Sequence, residues 1–151
     1  MRRAKYPSKE WLQSRFSYLD GHLYDLNGNI IKEYGPSKTN KYISVYINRK
    51  MLCLHRLIYI FHNGEPPEGY DIDHINRNPI DNRIENLRAC TRSLNTCNSK
   101  PRIGCKSGVR GISIRNTGKF AVMVCGKYLG QFDTIDEASK YRDNYIAMNV
   151  K

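Results

Sequence analysis

The sequence predicts a small modular α+β protein, and three stretches carry that expectation. Residues 16–55 break into short alternating segments separated by turn dipeptides. Residues 70–99 read as strand, loop, strand and helix, and residues 109–148 as three strands followed by one capped helix. At 151 residues the chain has room for one ordinary domain or two or three small modules.

In the first stretch, strands are expected at Phe16–Leu19, His22–Asp25, Ile30–Glu33, Tyr42–Ile47 and Met51–His55. Asp20–Gly21, Asn27–Asn29 and Asn48–Lys50 supply the turns between them. Tyr42, Ser44 and Tyr46 alternate with Ile43, Val45 and Ile47, so one strand face is expected to be buried. His55–Phe61 then reads as a short helix with Leu54, Leu57, Ile58 and Phe61 on its apolar face, stopped by Gly64–Gly69.

The chemistry is concentrated in Asp71–Asn95. Tyr70–His74 alternates large and acidic residues and suits a strand ending at His74. Asn76–Glu85 is rich in Asn, Asp, Arg and Pro79, a loop composition, and Asn86–Cys90 returns as a second strand. Thr91 is the expected N-cap of a helix over Arg92–Ser99, which places Asn95 one turn in. An imidazole beside oxygen ligands is what metal-assisted phosphodiester hydrolysis needs. Asp73 and Asn95 are oxygen donors of the kind a hard cation prefers, and His74 can accept a proton from water near neutral pH. Taken singly, such residues are usually surface polarity or turn caps; their joint spacing raises the functional reading.

The run DHINRNPIDNRIENLRACTRSLN resembles the HNH endonuclease motif of phage and intron homing endonucleases, in the variant whose last histidine is replaced by asparagine. The matching residues are Asp73 and His74, Asn82, Asn86–Arg88 and Asn95, with His55–Phe61 upstream. The resemblance implies a ββα-metal finger, His74 as general base, Asp73 and Asn95 as metal ligands, and Asn86 orienting loop and base. Asn76 and Arg77 stand where the family often has Asp and Gly, and Asp81 where an Asn is common, which bears on the loop and its DNA contacts, Arg77 among them.

The C-terminal stretch carries strand candidates at Val109–Arg115, Lys119–Cys125 and Lys127–Phe132. Thr134 and Glu137 form a capping box for a helix whose Ile135, Ala138, Tyr141, Tyr145 and Met148 fall at core spacing. Through Val109–Ser113, Gly118–Val124 and Leu129–Ser139 it resembles the plant-type ethylene-response DNA-binding domain, whose tryptophans are absent here, with Phe120 in one such place. That resemblance implies a sheet that enters the major groove, with Arg110, Ser113, Arg115 and Lys119 contacting bases or phosphates.

Four parts are thus expected: a β-rich region over 1–50 with a possible DNA-contacting arm, a nuclease module over 51–99, a basic linker over 100–108 and a DNA reader over 109–151. Net charge is +11, distributed as +6, 0 and +5 over residues 1–50, 51–100 and 101–151. Basic arms around a neutral centre suit a module whose outer parts grip phosphate. No apolar run is long enough for a bilayer and the start lacks a signal-peptide core, so a cytoplasmic protein, in the host cell if phage-encoded, is expected. Five cysteines without a CxxC pair point to reduced, packed thiols and no structural zinc.

The reading is a metal-dependent HNH DNA endonuclease of the homing type, using magnesium, with manganese as a substitute, on double-stranded DNA. A monomer is expected, with a dimer left open, since one active site per chain favours nicking. The alternative is a non-catalytic DNA-binding regulator on the same scaffold; an RNA-binding protein would leave the catalytic spacing unexplained.

Overall fold

The computed structural model describes residues 5–99, 101 and 103–148. The basic residues Arg2, Arg3, Lys100 and Arg102, read in the sequence as arm and linker cations, lie outside the described residues. Among the described residues the architecture is α+β, with several small sheets and four helices. The chain divides into two compact units, Met1–Ala89 and Cys90–Lys151.

The first unit opens with α1 (Lys9–Gln13), whose N-cap Ser8 accepts a hydrogen bond from the Trp11 amide and whose Leu12 is fully buried. Strands β1 (Phe16–Leu19) and β2 (His22–Asp25) form an antiparallel hairpin. Its turn needs two left-handed residues, Asp20 (φ 46°) and Gly21 (φ 86°), which is why an Asp-Gly pair sits there. A three-stranded antiparallel sheet follows in the order β3 (Glu33–Tyr34), β4 (Ser44–Ile47), β5 (Lys50–Cys53). The strand expected at Ile30–Glu33 is reduced to a single bridge between Ile30 and Tyr24, with β3 beginning at Glu33. Pairing there is interrupted because Asp25 spends its carboxylate on the Asn27 and Asn29 amides.

Helix α2 (Leu54–Asn63) starts one residue before His55, which therefore lies in the helix and not at the end of a strand. Leu54, Leu57, Ile58 and Ile60 are buried on it, and Gly64 stops it at φ 80° with its amide bonded to the Ile60 carbonyl. These side chains pack with Leu12, Leu23, Val45, Leu52, Ile72 and Leu87 into one core. Each such buried aliphatic side chain contributes about 1.5–3 kcal/mol. Strands β6 (Tyr70–His74) and β7 (Leu87–Thr91) then pair, joined by the loop and a short 3-10 turn at Ile84–Asn86.

The second unit carries α3 (Arg92–Asn98), capped by Thr91, whose hydroxyl accepts from the Leu94 amide. Its antiparallel sheet runs β10 (Lys127–Phe132), β9 (Phe120–Val124), β8 (Ile112–Ile114), with a bulge between Tyr128 and Gly130. Helix α4 (Ile135–Met148) packs on β9 and β10. The capping box forms both of its bonds, Glu137 amide to Thr134 and Thr134 amide to Glu137. The stripe expected on α4 is only partly the buried one: Ala138 and Tyr145 face the core, but Tyr141 and Met148 are exposed, while Arg142 and Ile146 are buried. A cation holds that place because its guanidinium donates to the Cys97 carbonyl and pairs with Asp143.

Candidate active site

The loop between β6 and β7 is closed by one side chain. Asn86 accepts from the Asn76 amide through Oδ1 at 2.9 Å, and its Nδ2 donates to Asn76 Oδ1 at 3.0 Å and to the Asp81 carbonyl at 2.8 Å. Its own carbonyl accepts from the Ile75 amide. Within the loop, Asp81 takes a paired contact from Arg83 and a bond from Asn76 Nδ2 at 2.8 Å. The Arg83 guanidinium, with the other donors, holds the Asp81 carboxyl at about 2. The β1–β2 hairpin supports the same loop, since Tyr18 Oη accepts from the Ile84 amide at 2.9 Å.

His74 ends β6 and is only 4% exposed. Its Nε2 lies 3.1 Å from Asn82 Oδ1. An amide oxygen only accepts, so Nε2 carries the proton, and in the neutral ring Nδ1 holds the lone pair. Burial lowers the His74 pKa below its ordinary 6.5, against the Asn82 bond and the nearby Asp73 and Asp81, which raise it. The ring is therefore neutral at neutral pH, the state a proton acceptor requires. Asn82 stood in the sequence motif without a role; the geometry gives it one, and the signal was its place eight residues past His74 in the same loop.

Two further rings pack on this imidazole. Tyr42 is stacked on His74 at 5.9 Å between centroids and 14° between planes, and His55 lies 5.0 Å from it. Lys41 Nζ sits 5.0 Å over the Tyr42 ring. His55 is buried, its Nδ1 has no hydrogen-bond partner among the described residues, and burial, with His74 and the cations Arg56 and Lys41, pushes its pKa down to about 3. It is a neutral wall of the site.

Asp73 precedes His74 and is 8% exposed. Arg88 on β7 donates to its Oδ2 from Nη2 at 3.0 Å and from Nε at 3.2 Å, two charge-assisted bonds on one oxygen. Asp73, His74 and Asn86 are thus assembled in the first unit. Asn95 is carried by α3 in the second unit and is half-buried. As donors, a carboxylate and an amide oxygen suit a hard cation. Among the described residues no three His, Cys, Asp or Glu side chains are grouped to hold a metal.

The remaining expected contacts are spread over loop and sheet. Arg77 sits in the loop in a left-handed conformation, φ 64°. Ser113, Arg115 and Lys119 are exposed around the β8–β9 hairpin, where the Arg115 amide bonds the Lys119 carbonyl and Lys119 pairs with Asp133 at 3.1 Å. Arg110 lies apart from them, lining a cavity of about 230 Å³ with Cys97, Cys125 and Arg142.

Against known families, residues 52–96 match the model of the HNH endonuclease family, so the stretch that builds this site is an HNH endonuclease domain. The chain is also similar to Protein 3.8 of Escherichia phage T7, at 41% identity over 51 residues. That alignment takes in 34% of this chain and 42% of the phage protein, so the chain spans less than half the length of its relative. No solved structure matches the chain. No helix among the described residues is long and apolar enough to cross a membrane.

Proposed function

We propose that this protein is a metal-dependent HNH DNA endonuclease of the homing type, acting on duplex DNA as a monomer with magnesium as its ion and manganese as a substitute. The observation that carries the reading is His74: a buried, neutral imidazole whose proton is fixed on Nε2 by Asn82, inside a segment that matches the HNH endonuclease family. His74 Nδ1 takes the proton from the water that attacks phosphorus, while Nε2 stays bonded to Asn82. Arg88 keeps the Asp73 carboxylate turned for ligation, and the sequence motif assigns Asn95 as the further ligand. When bound, magnesium supplies stabilisation of charge on the phosphate and leaving oxygen. Asn86 holds the loop, and with it Asn82, in register with the base.

The second unit serves as the DNA reader in this proposal. Its exposed Ser113, Arg115 and Lys119 lie along one hairpin, which supports the reading; the family comparison matches residues 52–96 alone and gives no ethylene-response domain here. Arg77 adds a phosphate contact from the nuclease loop.

The test is cleavage of supercoiled plasmid by wild type and His74→Ala, with magnesium, with manganese and with chelator. Open-circle or linear product from wild type plus metal alone supports the reading, and its form separates nicking from double cleavage. A folded wild type that binds DNA but yields no product with either ion, on plasmid or on phage genomic DNA, overturns it in favour of the regulator.

A further inference from the structure

A groove of about 450 Å³ opens on the first unit, in the range of ~300–1,000 Å³ usual for small-ligand sites. Trp11, Phe16, Leu26 and Tyr46 line it, and Arg15 and Lys32 stand at it as cations. Two of these apolar groups are conspicuously uncovered, Leu26 at 78% and Tyr46 at 59% exposure. The Trp11 and Phe16 rings meet at 6.1 Å and 59°, forming an angled platform, and the Arg15 guanidinium lies 5.1 Å over the Trp11 ring. The one carboxylate in the lining, Asp25, is tied up: Oδ1 accepts the Asn27 and Asn29 amides at 2.9 Å, and these bonds, that of Asn29 first, lower its pKa. Its carboxylate stays ionised, and Arg15 and Lys32 outnumber it, which leaves the charged groups of the lining net positive.

We propose that this groove binds one unstacked nucleotide of a DNA strand, the base on the Trp11–Phe16 platform and the phosphate on Arg15 and Lys32. Flat apolar walls beside cations are what a base with its phosphate demands, because every base offers a π face and every phosphate a full negative charge. A peptide or a second copy of the chain would fill the apolar part but would not need both cations, and residues 1–50, with their excess of +6, favour the polyanion. The site does not involve His74, Asp73 or any metal, so it stands or falls apart from the nuclease reading.

Trp11 is the single tryptophan of the chain, so its emission reports this groove alone. Titration in chelator, without any cleavage readout, uses a short oligo-dT, an abasic deoxyribose-phosphate strand of equal length, and inorganic phosphate. Oligo-dT is expected to quench Trp11 saturably, and the abasic strand to bind about tenfold or more weakly without quenching. Arg15→Gln with Lys32→Gln, and separately Tyr46→Ala, should weaken the dT-induced quench while the far-UV circular dichroism stays that of wild type. Binding of dT without quenching, equal binding of the abasic strand, or insensitivity to both variants overturns the proposal. So does a Trp11 shift that depends on protein concentration alone, which assigns the groove to a second copy.

Discussion

Acid should weaken the first unit chiefly through His55. In the fold this imidazole titrates at about 3, against an ordinary value of 6.5, so the difference is about 3.5 units. The folded pKa is the lower one, so the unfolded chain takes up the proton first. Stability is full above 6.5, declines as pH falls below it, and the loss is complete only near 3. At about 1.36 kcal/mol per unit, the full effect is about 5 kcal/mol, with about 3 kcal/mol already lost at pH 4.5. That is a large part of the ~5–15 kcal/mol that holds a domain together. His74, whose pKa burial also lowers, adds in the same sense, whereas Asp81 is held at about 2 and loses its contribution only below its ordinary 3.8. The assay is urea unfolding followed by Trp11 emission between about pH 7.5 and 4.5. His55→Phe keeps a ring against Tyr42 but removes the titration, so its stability should vary with pH by about 3 kcal/mol less than wild type over that span. Equal slopes for the two proteins would refute the reasoning.

Four more substitutions test the site and its frame. Asn82→Ala leaves the His74 Nε2 proton buried without its acceptor; a loss of about 1–3 kcal/mol by urea titration and a fall of about 100-fold in plasmid cleavage are expected. Asn82→Asp puts a charge beside the imidazole, which raises its pKa and moves the acid limb of the cleavage profile to higher pH. Arg77→Gly relieves the left-handed backbone at φ 64° and should stabilise by about 1 kcal/mol, while DNA affinity falls and its salt slope drops by about one. Gly111→Ala sets a Cβ 2.6 Å from the Met123 carbonyl oxygen at φ 81° and should cost more than ~2 kcal/mol, measured as a lower melting temperature by circular dichroism.

What the sequence made legible was local. The Asp20–Gly21 hairpin, the Thr91 cap and the Thr134–Glu137 box each depend on residues within a few positions, and each forms as the residue types require. The start of α2 was not legible in this way, because Cys53 caps it without a side-chain bond. Nor was Arg142, whose burial depends on a carbonyl 45 residues away. In the candidate site, the Asp73–His74 pair stands out in the sequence by type and spacing, and the fold buries both residues. The stack of Tyr42, His55 and His74 was not, since it brings together three separate parts of the chain. The bond from His74 Nε2 to Asn82 Oδ1 needed the folded loop, although both residues lay in the motif.

The loop from Ile75 to Asn86 has its shape written into its closing residue. Asn86 fastens Ile75, Asn76 and Asp81, while the tip between them, Arg77 to Ile80, projects with Ile80 52% exposed. Anchorage and display are thereby divided between different residues. The tip is an exchangeable cassette: other side chains can be grafted at Arg77 and Ile80 to change what the loop touches, with Asn78, whose Oδ1 accepts from the Ile80 amide, kept beside the clamp.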